Sequence, residues 1–519
     1  MKIPTPIQTA LPILCWIGVL ALAVGMRFEH LSKRPFHFDE ATGARITAQR
    51  MDPASGYEFN PVHNHGPLLS AVASPICHLN GESTWPSMTK LSLRLVPAIA
   101  GSLLVLVPLI WRKRFGHVPM LAAAAFLASS PLLVYYSRMF IHEMILALCG
   151  LLCLTLIGRY STSTSNTSRN VSAALAGITL GLMFATKESF AISVIAWSGS
   201  ATLVFLSQWP NKRTCSPRLY WKRHQTPILI GLGSAGLSSA WFYTNGFTNP
   251  GGAWDAVRTF FIYQTGAGHD KAFSYYFEML AIPKKAAIWW FETPVLILAA
   301  ISMIRAHLPG STIPHVQLIR FLSYASIGHL LIYSLIAYKT PWLMCLPWAH
   351  FCLLAGLSFS GIHKWRLPLQ GAALLVLIAV TAQQSKLSRF ATGRFASDAR
   401  NPYAYSPTNR DIESVRDWLA ELSKGTSPGS MEPIAVVGRE YWPLPWYLRD
   451  FQQIGYWPQP EPVINQCAVV FAMPEAADAV SEQLEHSHMI LPRTLRSQVP
   501  VMMYLRKDHW QRWMEPETP

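Results

Sequence analysis

Eleven apolar stretches, near residues 7–26, 91–111, 117–136, 144–159, 171–186, 190–208, 226–243, 286–304, 317–337, 343–361 and 367–383, dominate the chain. Each is about as long as a helix needs to be to cross the hydrocarbon of a bilayer. Hydrocarbon offers no partner to a peptide N–H or C=O, so such stretches are confined to helices. The sequence therefore specifies a polytopic α-helical membrane protein of about eleven transmembrane helices. A shorter run, 67–79, cannot span and reads as interfacial or re-entrant. Residues 1–26 could alternatively act as a cleavable signal, since Lys2 precedes the run and Ala21-Leu22-Ala23 resembles a cleavage site, but the run exceeds a typical signal core.

Lys and Arg in short loops stay on the cytoplasmic side during insertion. One set of alternate loops carries Arg112, Lys113 and Arg114, then Arg159 and Arg169, then Lys212 to Arg223, then Arg305, Arg320, Lys364 and Arg366, and none of these loops holds an Asp or Glu. The other set carries Asp39, Glu40, Asp52, Glu58, Glu82, Glu143, Glu188, Asp255, Asp270 and Glu278. The acidic loops are therefore expected outside the cytoplasmic membrane, with the C-terminus on the same side, and Glu292 alone is expected within a span. The formal net charge of +15 does not indicate nucleic acid, because its excess lies in the membrane half, where it reports topology. Residues 384–519 hold 14 Lys and Arg against 16 Asp and Glu. The eight cysteines show no metal-ligand spacing; Cys77 and Cys467 are expected outside, where a disulfide could join them.

Hydropathy falls after residue 385. This divides the chain into a membrane domain, 1–385, with a long first outer loop at 28–88, and an extracytoplasmic domain, 386–519. In the latter, Ile412, Val415, Trp418, Leu419 and Leu422 share one helical face, 434–438 and 468–473 read as buried strands, and 501–507 as an edge strand, which together imply a small α/β domain.

Asp39-Glu40 follows the first span by about a dozen residues, which places paired carboxylates near the outer surface. Moving a sugar from a lipid phosphate to a hydroxyl calls for a carboxylate to take the acceptor proton and cations to hold the departing phosphate. A solvated acidic pair would look the same. After the third span, Arg138 could clamp a phosphate while His142 or Glu143 orients the acceptor; alternatively Arg138 snorkels beside a helix-initiating Glu. Lys187-Glu188 caps the fifth span, and Lys339 caps the ninth within Tyr338-Lys339-Thr340-Pro341-Trp342. Outer cations of this kind run against the positive-inside tendency, and either anion binding or carboxylate pairing accounts for them. His63 and His65 could hold a divalent metal together with Asp39 or Glu143; no other cofactor is indicated. The string Gly231 to Gly236 matches GxGxxG but lies inside an apolar span, where close helix packing explains it. Tyr441 to Arg449, aromatic and proline-rich, could stack on sugar faces or pack against the membrane domain.

With an acidic pair after the first span, a second acidic site after the third and cationic caps on later outer loops, the chain resembles the GT-C superfamily of membrane glycosyltransferases. More narrowly, His37-Phe38-Asp39-Glu40, Tyr136-Ser137-Arg138, Ala185-Thr186-Lys187-Glu188, Tyr338-Lys339-Thr340-Pro341-Trp342 and Tyr441 to Arg449 resemble the archaeal and bacterial flippase-activity-associated family, which is dolichyl-phosphate-mannose-protein mannosyltransferase-like. The resemblance implies a polyprenyl-phosphate sugar donor, inversion by direct displacement, and a glycan, lipid or protein acceptor outside the cytoplasm. Asp39, paired with Glu40, would be the catalytic base, Glu143 would stand at the second acidic position, and Arg138, Lys187 and Lys339 would face the donor phosphate. Some relatives carry a longer second acidic motif with a metal, whereas a single Glu143 follows His142 here. The resemblance therefore leaves metal dependence open. The leading expectation is an inverting glycosyltransferase at the outer face of the cytoplasmic membrane. The alternatives are a non-catalytic accessory or transporter for flipping lipid-linked sugars, and a polymer ligase or scaffold.

Overall fold

Prolines set the breaks in the apolar stretches. The computed structural model describes residues 6–208, 217–262, 268–311, 313–422, 433–497 and 499–514. Helix α1 (Pro6–Phe28) leads into two helices of the long first loop, α2 (Phe38–Met51) and α3 (Leu68–Leu79). The second stretch is divided into α4 (Lys90–Leu106) and α5 (Pro108–Phe115), and the third into α6 (His117–Ser129) and α7 (Pro131–Tyr136). In both cases a proline, which has no N–H to give the preceding turn, begins the next helix. There follow α8 (Glu143–Thr162), α9 (Asn166–Thr186), α10 (Phe190–Ser207) and α11 (Pro217–Tyr243). The second long loop carries α12 (Gly252–Ile262), α13 (Tyr275–Ala281) and an antiparallel hairpin of β1 (Lys284–Ala286) and β2 (Ile288–Trp290). α14 (Thr293–His307), α15 (Val316–Leu335), α16 (Cys345–Leu357) and α17 (Leu367–Thr392) complete the bundle.

Each of the eleven apolar stretches contains helix, and among the described residues seven helical segments are long and apolar enough to cross a membrane by length and composition. The protein is a membrane protein. One expectation fails at 286–304, which begins as the hairpin. Glu292, expected inside a span, stands just before the first turn of α14. There it is fully buried and accepts hydrogen bonds from Ser130 Oγ (2.9 Å), the Leu132 N–H (3.2 Å) and the Tyr403 hydroxyl (2.9 Å). A short apolar run such as Ile288-Trp289-Trp290-Phe291 cannot be told from the start of a helix by hydropathy alone. Cys77 and Cys467 are free thiols, so the disulfide left open above does not form.

The glycine string lies in a close helix contact, but through Gly231 and Ala235 alone, since a Cβ on Gly233 or Gly236 would meet nothing within 4 Å. A Cβ on Gly177 of α9 would come 2.1 Å from the Gly231 carbonyl of α11, and one on Gly181 would meet the Ala235 carbonyl at 2.3 Å, so the two backbones touch through small residues. Charge is segregated between the ends of the bundle. Arg114 reaches the Gly158 carbonyl, Arg169 contacts His224, and Arg305 donates to the Ser358 and Ser360 carbonyls at one end. Asp39, Glu143 and Glu188 lie at the other.

The chain beyond α17 forms α18 (Asp411–Leu422), β3 (Ile434–Val437), the short α19 (Leu444–Tyr447), β4 (Ile454–Trp457), β5 (Val469–Ala472), α20 (Ala477–Leu484), β6 (His488–Arg496), β7 (Val499–Arg506) and α21 (Lys507–Met514). The strands form one sheet in the order β4-β3-β5-β7-β6, parallel from β4 to β5 and antiparallel from β5 to β6. β3 is apolar at every position because both faces are covered: Ala435 and Val437 pack with Val480 and Leu484 of α20, and Ile434 and Val436 join the core shared with α18 and the bundle. The strand expected at an edge, 501–507, is central. The sheet edges are β4 and β6, which the hydropathy pattern hid because β4 contains Gly455 and β6 contains Pro492 and Arg493.

Gly177→Leu should force α9 and α11 apart, an overpacking cost of about 1–3 kcal/mol. The thermal midpoint in detergent should fall and the gel-filtration peak should broaden, whereas the same change at Gly199, where a Cβ meets nothing within 4 Å, should have little effect.

Candidate active site

The segment His37 to Glu40 builds its own helix start. His37 caps α2 from an extended conformation: its Nδ1 accepts the Asp39 N–H (3.1 Å), and the Glu40 carboxylate accepts the His37 N–H (3.0 Å). This is a capping box with imidazole in place of a hydroxyl. The other ring nitrogen, Nε2, faces the Tyr405 carbonyl at 3.0 Å and carries the proton. Burial lowers the pKa of this imidazole, against the opposing pull of Asp39 and Glu40. The cap leaves Asp39 and Glu40 on consecutive helical positions, about 100° apart around the axis, so they face different surroundings.

Glu40 points inward. It is fully buried and forms a forked pair with Arg94 of α4, with Nε and Nη2 each 2.7 Å from a carboxylate oxygen. It also accepts from Arg34 (3.2 Å) and from the Phe140 N–H (2.9 Å). Burial pushes its pKa up, but Arg94 and Arg34 outweigh that and hold it at about 2. With five donors on two oxygens, Glu40 presents nothing to a substrate.

Asp39 points the other way, into a cavity of about 530 Å³ at the end of the bundle that bears the C-terminal α/β part. Its side chain is 35% exposed, and one carboxylate oxygen lies 3.6 Å from His37 Nδ1. The cavity also exposes His63, His65, His142, Glu143 and Lys187. Lys187 donates to Glu143 (2.7 Å), and His65 Nδ1 lies 2.9 Å from a Glu188 oxygen. His65 and His142 meet edge to face with centroids 5.2 Å apart. Burial first, then His65 and Lys187, push the His142 pKa well below its ordinary value, so that ring is neutral near pH 7. Glu188 is held at about 2: burial raises it, but His65 and Lys187 lower it further. Gly66 makes this docking possible, since a Cβ there would lie 2.3 Å from the Ala185 carbonyl at the end of α9.

Arg138 and Lys339 do not line this cavity. Arg138 caps the end of α1 by donating to the Met26 (3.0 Å), Arg27 (3.2 Å) and His30 (3.1 Å) carbonyls, and Lys339 donates to the Lys271 carbonyl (3.0 Å) and to that of Ile336. Both are buried cations held by backbone dipoles. Among the described residues no group of three His, Cys, Asp or Glu side chains converges as a metal-ligand set. His65 is turned to Glu188, and Asp39 has His37 beside it, so these residues do not fit the arrangement suggested for His63 and His65.

The C-terminal part supplies residues that sequence reasoning missed. Arg439, Glu440, Trp442 and Arg496 roof the cavity, and Arg496 lies close enough to feel the charge of Asp39. Phe38 and Trp442 stand edge to face at 6.3 Å. Only the Tyr441–Arg449 segment had flagged this region, and its residues divide two roles. Trp442 faces the cavity, while Trp446 stacks on Phe36 (4.1 Å) and the Tyr447 hydroxyl accepts the Phe36 N–H (2.8 Å). The other omission, Arg94, carried a signal of its own, being an arginine within an apolar stretch.

Residues 64–221 match the family model for dolichyl-phosphate-mannose-protein mannosyltransferase. The structure is similar to that of ArnT from Cupriavidus metallidurans in the apo state, with a TM-score of 0.63 at 14% identity over 95% of this chain and 98% of that one. The chain has the fold of the GT-C glycosyltransferases. The GT-C likeness extends to the same ArnT bound to undecaprenyl phosphate (TM-score 0.60, 14% identity, 96% and 98% covered). It extends also to the Archaeoglobus fulgidus oligosaccharyltransferase tethered with an acceptor peptide (TM-score 0.52, 14% identity, 87% and 64% covered). No curated protein matches the sequence.

Arg94→Leu leaves a buried carboxylate short of its main partner and should cost about 3–5 kcal/mol. The thermal midpoint should drop sharply, and the double change Arg94→Leu with Glu40→Leu should recover much of the loss. Glu40 and Glu188 fall from an ordinary 4.5 to about 2 on folding, so the stability they contribute is present above pH 4.5 and is lost as pH falls toward 2. An acid titration followed by tryptophan fluorescence should unfold the protein within that window, with a weaker slope in Glu188→Gln.

Proposed function

We propose that the protein transfers a sugar from a polyprenyl-phosphate donor to an acceptor at the outer face of the cytoplasmic membrane, with inversion at the anomeric carbon. The observation that carries this reading is the division of labour in Asp39-Glu40: one carboxylate is locked in an ion pair, and its neighbour is free in a cavity that also holds cations. In this reading Asp39 takes the proton of the acceptor hydroxyl as its oxygen attacks the anomeric carbon. The bond from that carbon to the phosphate oxygen breaks, and the phosphate leaves with the electron pair. Lys187, fixed by Glu143 and close to His65 and His142, is the cation placed to hold the phosphate as its charge grows. Arg138 and Lys339 are not given this role, because backbone carbonyls occupy them. Arg439, Arg496 and Trp442 stand on the acceptor side, where an aromatic face suits a sugar ring.

ArnT bound to undecaprenyl phosphate shares the fold, which supports a lipid-phosphate donor here. The basic loops at the opposite end of the bundle support an orientation with the cavity outward. A through-bilayer transport path has less support, since the ionisable groups of the cavity gather at one end of the bundle. The C-terminal α/β part, residues 386–519, then serves as the extracytoplasmic roof.

Asp39→Asn should lower transfer from a radiolabelled polyprenyl-phosphate sugar by about 10²–10⁴-fold while membrane yield and thermal midpoint stay unchanged. Transfer at the wild-type rate would remove Asp39 as the base. In intact cells an impermeant maleimide should label Ser55→Cys but not Lys113→Cys; the reverse pattern would invert the topology.

A further inference from the structure

A second cavity, of about 470 Å³, opens where α1 and α17 end, and it shares no lining residue with the one that holds Asp39. Its wall carries six cations, Lys33, Arg34, Arg138, Arg389, Arg394 and Arg410, against a single carboxylate, Glu29. Helix C-termini favour nearby cations, and that accounts for some of these: Arg138 serves the last carbonyls of α1, and Arg410 reaches the Gly393 carbonyl (3.4 Å). Arg34 is committed to Glu40. Lys33, Arg389 and Arg394 remain, and none of their side chains forms a hydrogen bond or ion pair with a described residue. Glu29 in the wall and Asp398, close enough to feel Arg394, offset only part of this positive charge, and like charges around one hollow repel, which favours a further anion among them.

The surroundings indicate where that anion comes from. α1 and α17 flank the cavity and present exposed apolar side chains along their length, among them Leu11, Leu14, Leu374, Leu375 and Ile378. These lie on helices apolar enough to cross the membrane, so this face meets acyl chains. We infer that the cavity binds the phosphate of an anionic lipid, whose chains run down the groove between α1 and α17 while Lys33, Arg389 and Arg394 hold its headgroup. Guanidinium groups present paired N–H donors that match phosphate oxygens, and the ammonium of Lys33 adds a point charge. This site is separate from the proposed transfer reaction and does not depend on it.

The test is lipid retention by the full-length protein, measured by native mass spectrometry after exchange into detergent with phosphatidylglycerol or phosphatidylcholine. The wild type should retain phosphatidylglycerol preferentially. The triple variant Lys33→Gln, Arg389→Gln, Arg394→Gln, whose exposed positions leave folding intact by gel filtration, should lose about a hundredfold in that affinity, at roughly a factor of five per cation. Asp39→Asn should retain the lipid as the wild type does, which keeps this result apart from any failure of transfer. Inorganic phosphate that displaces the lipid supports the phosphate as the group recognised. Binding of inorganic phosphate without preference between the two lipids would overturn the lipid headgroup as its source. Equal retention of both lipids, or retention unaffected by the triple variant, would overturn the site.

Discussion

The buried pair of Glu40 and Arg94 is the constraint on which the active end of the bundle depends. A carboxylate cannot be placed in a membrane-protein interior unless its charge is met, and removing one partner of such a pair costs far more than an exposed salt bridge is worth. Here it is met from every side: α4 contributes Arg94, the loop before α2 contributes Arg34 and the His37 N–H, and the loop after α7 contributes the Phe140 N–H. Arg94 in turn gathers the carbonyls of Leu31, Arg34 and Pro35. The pair thus ties three chain segments to the start of α2. Because helix geometry fixes the angle between neighbouring residues, it also aims Asp39 at the cavity.

A second feature is the roof over the cavity. The α/β part forms it by packing and by charge: Phe36, one residue before the cap, is stacked by Trp446 and donates its N–H to Tyr447, and Lys90 of α4 pairs with Glu413 of α18 (2.6 Å), so the segment leading into α2 is held between bundle and roof. The parallel strands β3, β4 and β5 place the loop after β3 over the cavity, and Arg439, Glu440 and Trp442 arrive there as a group. Charges in such a partly closed site interact more strongly than in water, which suits a reaction in which a phosphate gains charge as it departs.

The fold was largely legible because hydrophobic length is a strong signal: the apolar stretches at 91–111 and 367–383 are helices, and Pro108 and Pro131 stand where the helices break. It failed where apolar content does not distinguish strand from helix, as at Ile288 to Phe291, and where a strand carries Gly or Pro, as in β4 and β6. In the site, Asp39, His63, His65, His142, Glu143 and Lys187 are distant in sequence yet share one cavity; loop charge pointed to Asp39, His142, Glu143 and Lys187, and the paired imidazoles to His63 and His65. Glu40, Arg138 and Lys339 looked equivalent to these in sequence. What separates them is partnership: the hydrogen-bond donors and acceptors that occupy them come from residues up to about a hundred positions away, as Arg138 to Met26 shows. Arg439 and Arg496 were invisible for the same reason, whereas Arg94 stood out as an arginine inside the apolar stretch 91–111.

The central claim is that a lipid phosphate and Asp39 occupy the same cavity. Cryo-electron microscopy of the protein in a lipid nanodisc with added polyprenyl phosphate tests it directly. The account predicts phosphate density within hydrogen-bonding reach of Lys187, on the Asp39 side of the Glu40 cluster. Phosphate density found only beside Lys33 and Arg389, with the Asp39 cavity empty, would contradict it.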